Sequence, residues 1–363
     1  MKFISEYRDS RSAEAVANAI RHEARRNYTF MEVCGGHTAA IHRFGIPSIL
    51  PPEIKLLSGP GCPVCVTPLG YVNKAVALSL ERDVIITSFG DLIRVPGSSS
   101  SLWDAKASGA DVRIVISALD AVDLAAANPD KKVVFMGIGF ETTAPGTAAA
   151  INRAAGEDLK NFCVLSGHKI MPPAMEAVIR EGTAIDGFIC PGHVATITGS
   201  SVFDFIPRKY GLGCVVSGFE PADILLSILM LVRQVNSSAP ACEIEYSRVV
   251  TAEGNLKAKA LMNKVFQPED SEWRGLGNIS LSGLGIHDAF RYYDASVLFD
   301  GLTGEEEGEE NPSCLCGEVL RGRKRPSDCR LFAKSCTPEN PAGACMVSSE
   351  GACNAFYRFK KDA

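Results

Sequence analysis

The chain has 363 residues, 46% of them apolar, which is enough for two or three domains with a sizeable core. Its formal net charge is −5 and no block of five or more basic residues occurs, so the electrostatic footprint of a nucleic-acid binder is absent. Met1 to Asn27 is charged and polar, with Arg8, Arg11, Arg21, Arg25 and Arg26. The longest apolar stretch, Ile224 to Val232, falls far short of the ~20 residues a membrane helix needs, so the expectation is a cytoplasmic protein with no membrane partner.

The first predicted strand, Thr29 to Val33, runs into Cys34-Gly35-Gly36-His37-Thr38, where small residues let another group approach the backbone closely. Next comes Gly59-Pro60-Gly61-Cys62-Pro63-Val64-Cys65-Val66-Thr67-Pro68, whose Gly/Pro punctuation presents two thiols at chelating distance. With Cys34 they make three soft ligands that can converge. A helix starting near Tyr71 or Val72 would point its amino terminus at this loop, lower the Cys62 thiol pKa and make Cys62 the nucleophile.

From here apolar β-branched runs alternate with Ala-rich stretches, the pattern of a parallel sheet covered by helices. Further strands are expected at Asp83 to Ser88, Val112 to Ile116, Lys132 to Met136, Phe162 to Leu165, Gly187 to Cys190 and Cys214 to Ser217. Helices are expected at Asn73 to Leu80, Ala121 to Ala127, Gly146 to Ala155 and Ala222 to Val235. Four strands end in polar, glycine-marked turns: the one at Cys34 and those at Gly137 to Thr143, Ser166 to Lys169 and Cys190 to His193. Ligands of open α/β sheets bind beyond the carboxyl ends of the strands, so these turns imply a shared crevice, or two sheets facing across a cleft. Glu141, Thr142 and Thr143 read either as a helix cap or as cleft lining. His193 divides the same way between backbone satisfaction and cleft chemistry. His168 beside Lys169 is a lesser candidate, and Cys163, Cys190, Cys214 and Cys242 read as buried thiols.

After Ser237 the character changes to a helix around Asn255 to Phe266, a loop-rich run from Trp273 to His287, and an exposed acidic loop at Glu305, Glu306, Glu307, Glu309 and Glu310. Six of the thirteen cysteines then fall in the last fifty residues, at Cys314, Cys316, Cys329, Cys336, Cys345 and Cys353. One, twelve, six, eight and seven residues separate them, so there is no Cys-x-x-Cys knuckle of the common zinc kind. An iron–sulfur cluster held by Gly/Pro-rich loops is favoured over zinc, with disulfides or inert thiols third. Six thiols exceed the four sites of one cluster and leave two as a redox pair or as small buried hydrophobes. The basic run Arg321, Arg323, Lys324, Arg325 either offsets thiolate charge or meets a protein partner.

The tail Cys314-Leu315-Cys316-Gly317-Glu318-Val319-Leu320-Arg321-Gly322, followed by Pro326, Cys329, Cys336-Thr337-Pro338 and Gly343-Ala344-Cys345 through Gly351-Ala352-Cys353, closely resembles the HypD family of NiFe-hydrogenase maturation factors. Gly59 to Pro68, Gly139 to Thr143 and Pro191 to Val194 match the same family's motifs in the same order, so the resemblance runs nearly end to end. It implies a scaffold that builds the Fe(CN)2CO fragment of a hydrogenase, more an assembly platform than a turnover enzyme. Its partners would be a HypC-like small chaperone, a HypE-like cyanide donor and, indirectly, the hydrogenase large subunit. By motif, Cys34, Cys62 and Cys65 hold or deliver iron transiently, with His37 as ligand, proton carrier or supporting donor. Cys314, Cys329, Cys336 and Cys353 become 4Fe–4S ligands and Cys316 with Cys345 a redox pair, although Cys314 and Cys316 could exchange roles. The family's usual second histidine is Ala39 here, and His42 lies three residues on.

The architecture expected is α/β: two Rossmann-like parallel-sheet domains facing a cleft, plus a third, loop-rich iron–sulfur domain. Residues 29–127 would carry Cys34, Cys62 and Cys65, residues 128–236 the Gly139 to Thr143 and Pro191 to His193 motifs, and residues 1–28 with 237–363 the cysteine tail. Electrons passing through the tail thiols would open an oxidised Cys62/Cys65 pair. The rival readings are a thiol–disulfide oxidoreductase resembling ferredoxin–thioredoxin reductase, and a passive platform whose metal sites are structural.

Overall fold

The computed structural model describes residues 10–302 and 311–359, and the acidic run from Glu305 to Glu310 lies outside them. In chain order the strands are β1 (Tyr28–Glu32), β2 (Ile54–Ser58), β3 (Val84–Ser88), β4 (Val112–Ile114), β5 (Lys132–Gly139), β6 (Phe162–His168), β7 (Gly187–Pro191), β8 (Gly213–Ser217), β9 (Cys242–Ile244), β10 (Phe266–Trp273) and β11 (Gly277–Ile286). They form a five-stranded sheet ordered β2-β1-β7-β8-β9, a four-stranded sheet ordered β4-β3-β5-β6, and the β10-β11 hairpin. Every pairing in the two larger sheets is parallel. The fold is α/β with two parallel sheets and a loop-rich, cysteine-bearing end. Central strands such as β3, β7 and β8 are buried along their whole length, which is why they read as continuous apolar runs.

Sheet membership cuts across the boundary expected between residues 127 and 128. β3 and β4 lie before it yet share a sheet with β5 and β6, whereas β1 and β2 share one with β7, which returns to the first sheet after the whole second sheet has been made. The flanks are likewise shared out. The helix Ser10–Glu23 packs on Pro221–Ser237 beside the first sheet, β9 extends that sheet, and the hairpin bridges to β6 through Lys169 and Gly283.

The run from Trp273 to His287, read as loop-rich, contains β11, which pairs antiparallel with β10 across an irregularity at Glu269/Ser271. Its partner exposes Gln267, Pro268, Glu269 and Asp270, so no alternation of apolar residues marks it.

Strand order reverses between β1 and β7 in the first sheet and between β3 and β5 in the second, and each reversal opens a crevice at the carboxyl ends. The motif-bearing turns occupy those ends. One apolar cluster joins Met31 and Leu57 of the first sheet, Ile86 and Val134 of the second, and Leu320 and Met346 of the tail. No described helix is long and apolar enough to cross a membrane.

Candidate functional site

Cys34 stands in extended backbone between β1 and the helix Gly35–Arg43. Gly61 is pressed onto it: a Cβ at residue 61 would lie 2.1 Å from Cys34 N and 2.5 Å from Cys34 Cα, so only glycine fits. The Gly35 N–H donates to the Gly61 carbonyl at 2.8 Å, which fastens the Cys34 turn to the residue before Cys62. Cys62 is disulfide-bonded to Cys65, with Cα atoms 5.2 Å apart, and its sulfur accepts the Cys65 N–H at 3.2 Å. The helix expected from Tyr71 or Val72 begins at Leu69, behind Pro68, and Cys62 caps a separate turn, Pro63–Val66, initiated by its own proline.

Burial pushes the Cys34 thiol up to about 12, and the nearby Glu350 carboxylate adds to this. Beside it, Glu32 accepts the Cys34 N–H at 3.0 Å and the Thr38 hydroxyl at 2.6 Å, and burial raises its carboxyl to about 7. His37 is fully buried and neutral, since burial lowers it to about 4. Its Nε2–H donates to the Gly218 carbonyl at 2.9 Å, and Nδ1 has no partner among the described residues.

Phe219, which the sequence reading did not single out, fills the space between the two site histidines. Its ring stacks on His37 at 4.5 Å and on His193 at 3.8 Å. The Phe219 ring and Cys34 Sγ both lie within 4 Å of where a Gly36 Cβ would be. The turn is held from behind: Gly218 N–H donates to Glu245 at 3.1 Å, and Arg248 clamps the buried Asp223 with bonds of 2.9 and 2.5 Å. Burial, with Asp223 adding, pushes Glu245 up to about 8. The missed signal was a fifth glycine-marked strand end, Ser217-Gly218-Phe219, lacking the thiol, imidazole or carboxylate that flagged the others. His42 lies edge-on to Phe356 of the C-terminal helix at 5.6 Å, so it does not supply an imidazole beside His37.

At the end of β5, Gly139 has φ +134°, and a Cβ there would fall 1.7 Å from Thr143 Oγ1. The Thr143 hydroxyl donates back to the carbonyls of Ile138 (3.1 Å) and Phe140 (3.4 Å) and does not cap the following helix. Thr142 is exposed. Glu141 is buried, accepts the Met171 N–H at 3.1 Å, and is raised to about 7 by burial, which ties it to the helix Met171–Arg180. The same turn reaches the thiol loop indirectly, since Phe140 stacks on Trp273 and the Arg274 N–H donates to the Val66 carbonyl at 2.9 Å. His168 bonds to Thr147 at 2.9 Å and Lys169 to Ser271 and the Glu272 carbonyl, both as interior struts. Cys163, Cys190 and Cys214 are buried and Cys242, partly buried, is the register partner of Cys214.

All six tail cysteines line one apolar pocket with Phe332 and Met346. The sulfurs of Cys316 and Cys345 are 2.8 Å apart. The turn Ala344–Val347 packs on Pro63–Val66, and Cys65 Sγ lies 4.0 Å from the Ala344 carbonyl, one residue from Cys345. Glu350 covers Gly35, where an added Cβ would meet its side chain at 2.5 Å. The tail therefore touches both halves of the thiol site. Setting the close pair aside, Cys314, Cys329, Cys336 and Cys353 form an all-thiol donor set of the kind a 4Fe–4S cluster takes, and their chemistry fits it. Among the described residues no group of three or more His, Cys, Asp or Glu side chains stands in metal-holding geometry.

Two parallel sheets whose strand ends meet a Cys-x-x-Cys loop, closed by a six-cysteine end, define a thiol-rich α/β protein. The HypD family model, described as the hydrogenase formation hypA family, matches residues 11–360. Among relatives, the chain is 47% identical to hydrogenase maturation factor HypD2 of Bradyrhizobium diazoefficiens and 48% identical to hydrogenase maturation factor HypD of Azotobacter vinelandii, in each case over 99% of this chain and 97% of the relative. It is 43% identical, over 91% of this chain and 92% of the relative, to a putative hydrogenase expression/formation protein of Methanocaldococcus jannaschii. The chain belongs to the HypD family.

Proposed function

We propose that the protein serves hydrogenase maturation as a scaffold, holding ferrous iron on Cys34, Cys62 and Cys65 while cyanide and carbon monoxide are attached to give an Fe(CN)2CO unit. The observation that carries this reading is the Gly35–Gly61 backbone bond of 2.8 Å, which joins two thiol-bearing turns distant in sequence. Soft thiolates suit low-spin ferrous iron. The neutral His37, with Nε2–H committed to Gly218, keeps Nδ1 free to accept a proton or a metal. Glu141 and Thr143 support the β5 turn from within, and the exposed Thr142 and His193 meet incoming partners, taken to be a HypC-like chaperone and a HypE-like cyanide donor.

Iron binding requires the Cys62–Cys65 disulfide to open. In the exchange we favour, the Cys345 thiolate attacks Cys65 Sγ and Cys62 leaves as thiolate. The Cys316 thiolate then attacks Cys345 Sγ and frees Cys65. One disulfide breaks and another forms, and two protons pass from the tail pair to the loop pair. The 2.8 Å sulfur separation and the 4.0 Å approach of Cys65 to Ala344 support this route. Cys314, Cys329, Cys336 and Cys353 would hold a 4Fe–4S cluster, which supplies single electrons when bound.

Infrared spectra of protein purified anaerobically with its small chaperone are expected to carry cyanide and carbonyl stretches, and Cys34→Ala to lose them with circular dichroism unchanged. No such bands in the anaerobic wild type would overturn the scaffold reading. The close Cys316/Cys345 pair also favours a second reading, a thiol–disulfide oxidoreductase, which requires multiple turnovers with a generic protein disulfide.

A further inference from the structure

We infer that the open edge of the first sheet is a strand-addition site for an extended, acidic segment of a partner protein. β2 is an edge strand. Its register on β1, with Tyr28 N–H donating to the Glu53 carbonyl and Gly59 N–H to the Glu32 carbonyl, turns the backbone groups of residues 53, 55, 57 and 59 inward. Those of Ile54, Leu56 and Ser58 therefore face outward. The Ile54 N–H is taken by Pro51, whereas the Leu56 N–H and carbonyl have no partner among the described residues.

A groove of 590 Å³ runs along this edge. Pro47, Leu50 and Phe356 give it an apolar side, and Lys55, Lys324 and Arg325 give it a basic one, against the single acid Glu53. In the tail's basic run, Arg321 and Arg323 are already neutralised by Glu181 and Glu318, but Lys324 and Arg325, like Lys55, have no ion pair among the described residues. This positive strip on a chain of net charge −5 selects an acidic partner. It also disfavours a second copy of the same edge, which would set Lys55 against Lys55. A strand of five residues spans roughly 17 Å, so the segment that fits is short, recognised along its main chain and by alternate side chains.

The test uses the full chain and a labelled, acetylated seven-residue peptide of alternating Glu and Val, followed by fluorescence anisotropy, with the Lys–Val peptide as counterpart. The Glu–Val peptide is expected to bind and the Lys–Val peptide not to. Lys55→Glu and Lys324→Glu, both exposed, should each weaken binding about fivefold, as expected of a rim charge. Methylating alternate peptide amides should abolish binding, and the Leu56 amide should gain protection from hydrogen exchange in the complex. Equal binding of both peptides, binding of neither, indifference to charge reversal, or an unprotected Leu56 amide would each overturn the inference. None of these readouts depends on thiols or iron, so failure here leaves the scaffold reading standing, and failure of that reading leaves this one.

Discussion

At Phe219 one aromatic ring separates two imidazoles, and the environment it completes keeps His37 uncharged, since burial is the main cause of the lowered pKa of about 4. Phe219→Ala should cost about 2 kcal/mol, below the fully buried range because the ring is only partly buried. It should also let water reach His37 and move its titration toward 6.5, which histidine ring NMR would read. Glu141 gives a second check. Its folded pKa of about 7 lies above the ordinary 4.5, so the folded chain holds this proton more tightly than the unfolded chain does. The stability so gained is complete below pH 4.5 and is lost as pH rises through 7, by about 3 kcal/mol at most. Glu141→Gln should remove that slope, and urea midpoints at pH 5 and pH 8 that fall equally in variant and wild type would contradict a protonated Glu141. Cys34, Cys62 and Cys65 were legible because glycine and proline frame them. Phe219, Glu245 and Glu350 were not, because their importance arises from contacts between remote segments that no local pattern encodes.

Among the elements, the short turn Ala344–Val347 is the one on which the proposed exchange depends, since it packs on Pro63–Val66 and sets the Ala344 carbonyl, one residue from Cys345, 4.0 Å from Cys65 Sγ. Cys345→Ser should leave the Cys62–Cys65 disulfide closed in protein supplied with a reductant that cannot itself reach the buried loop, and alkylation with mass mapping should find Cys62 and Cys65 unlabelled. Labelling equal to wild type would remove Cys345 from the route. Strands buried on both faces were readable as apolar β-branched runs, and β1, β3, β4, β5, β6, β7 and β8 fall within a few residues of expectation. β2 escaped notice because it is a five-residue edge strand after two prolines with an exposed Lys55. The partition of strands between sheets was not readable at all, for a doubly buried strand carries the same pattern whichever neighbour it pairs with.

For the molecule as a whole, the core that links both sheets and the tail implies a single cooperative unit. Both tryptophans, Trp103 and the fully buried Trp273, belong to elements other than the strands of the first sheet. Their fluorescence should nevertheless lose structure at the same temperature as the far-ultraviolet circular dichroism, and separated transitions would show that the sheets melt independently.

The interleaved order of strands also has a biosynthetic side. When the ribosome has released β6, the four-stranded sheet has every strand it needs, whereas β1 and β2 still await β7, β8 and β9. The sulfurs of Cys34, Cys62 and Cys65 thus spend this interval on an unfinished platform, and a nascent chain halted there would offer them to oxidants and stray cations before the tail exists to cover them.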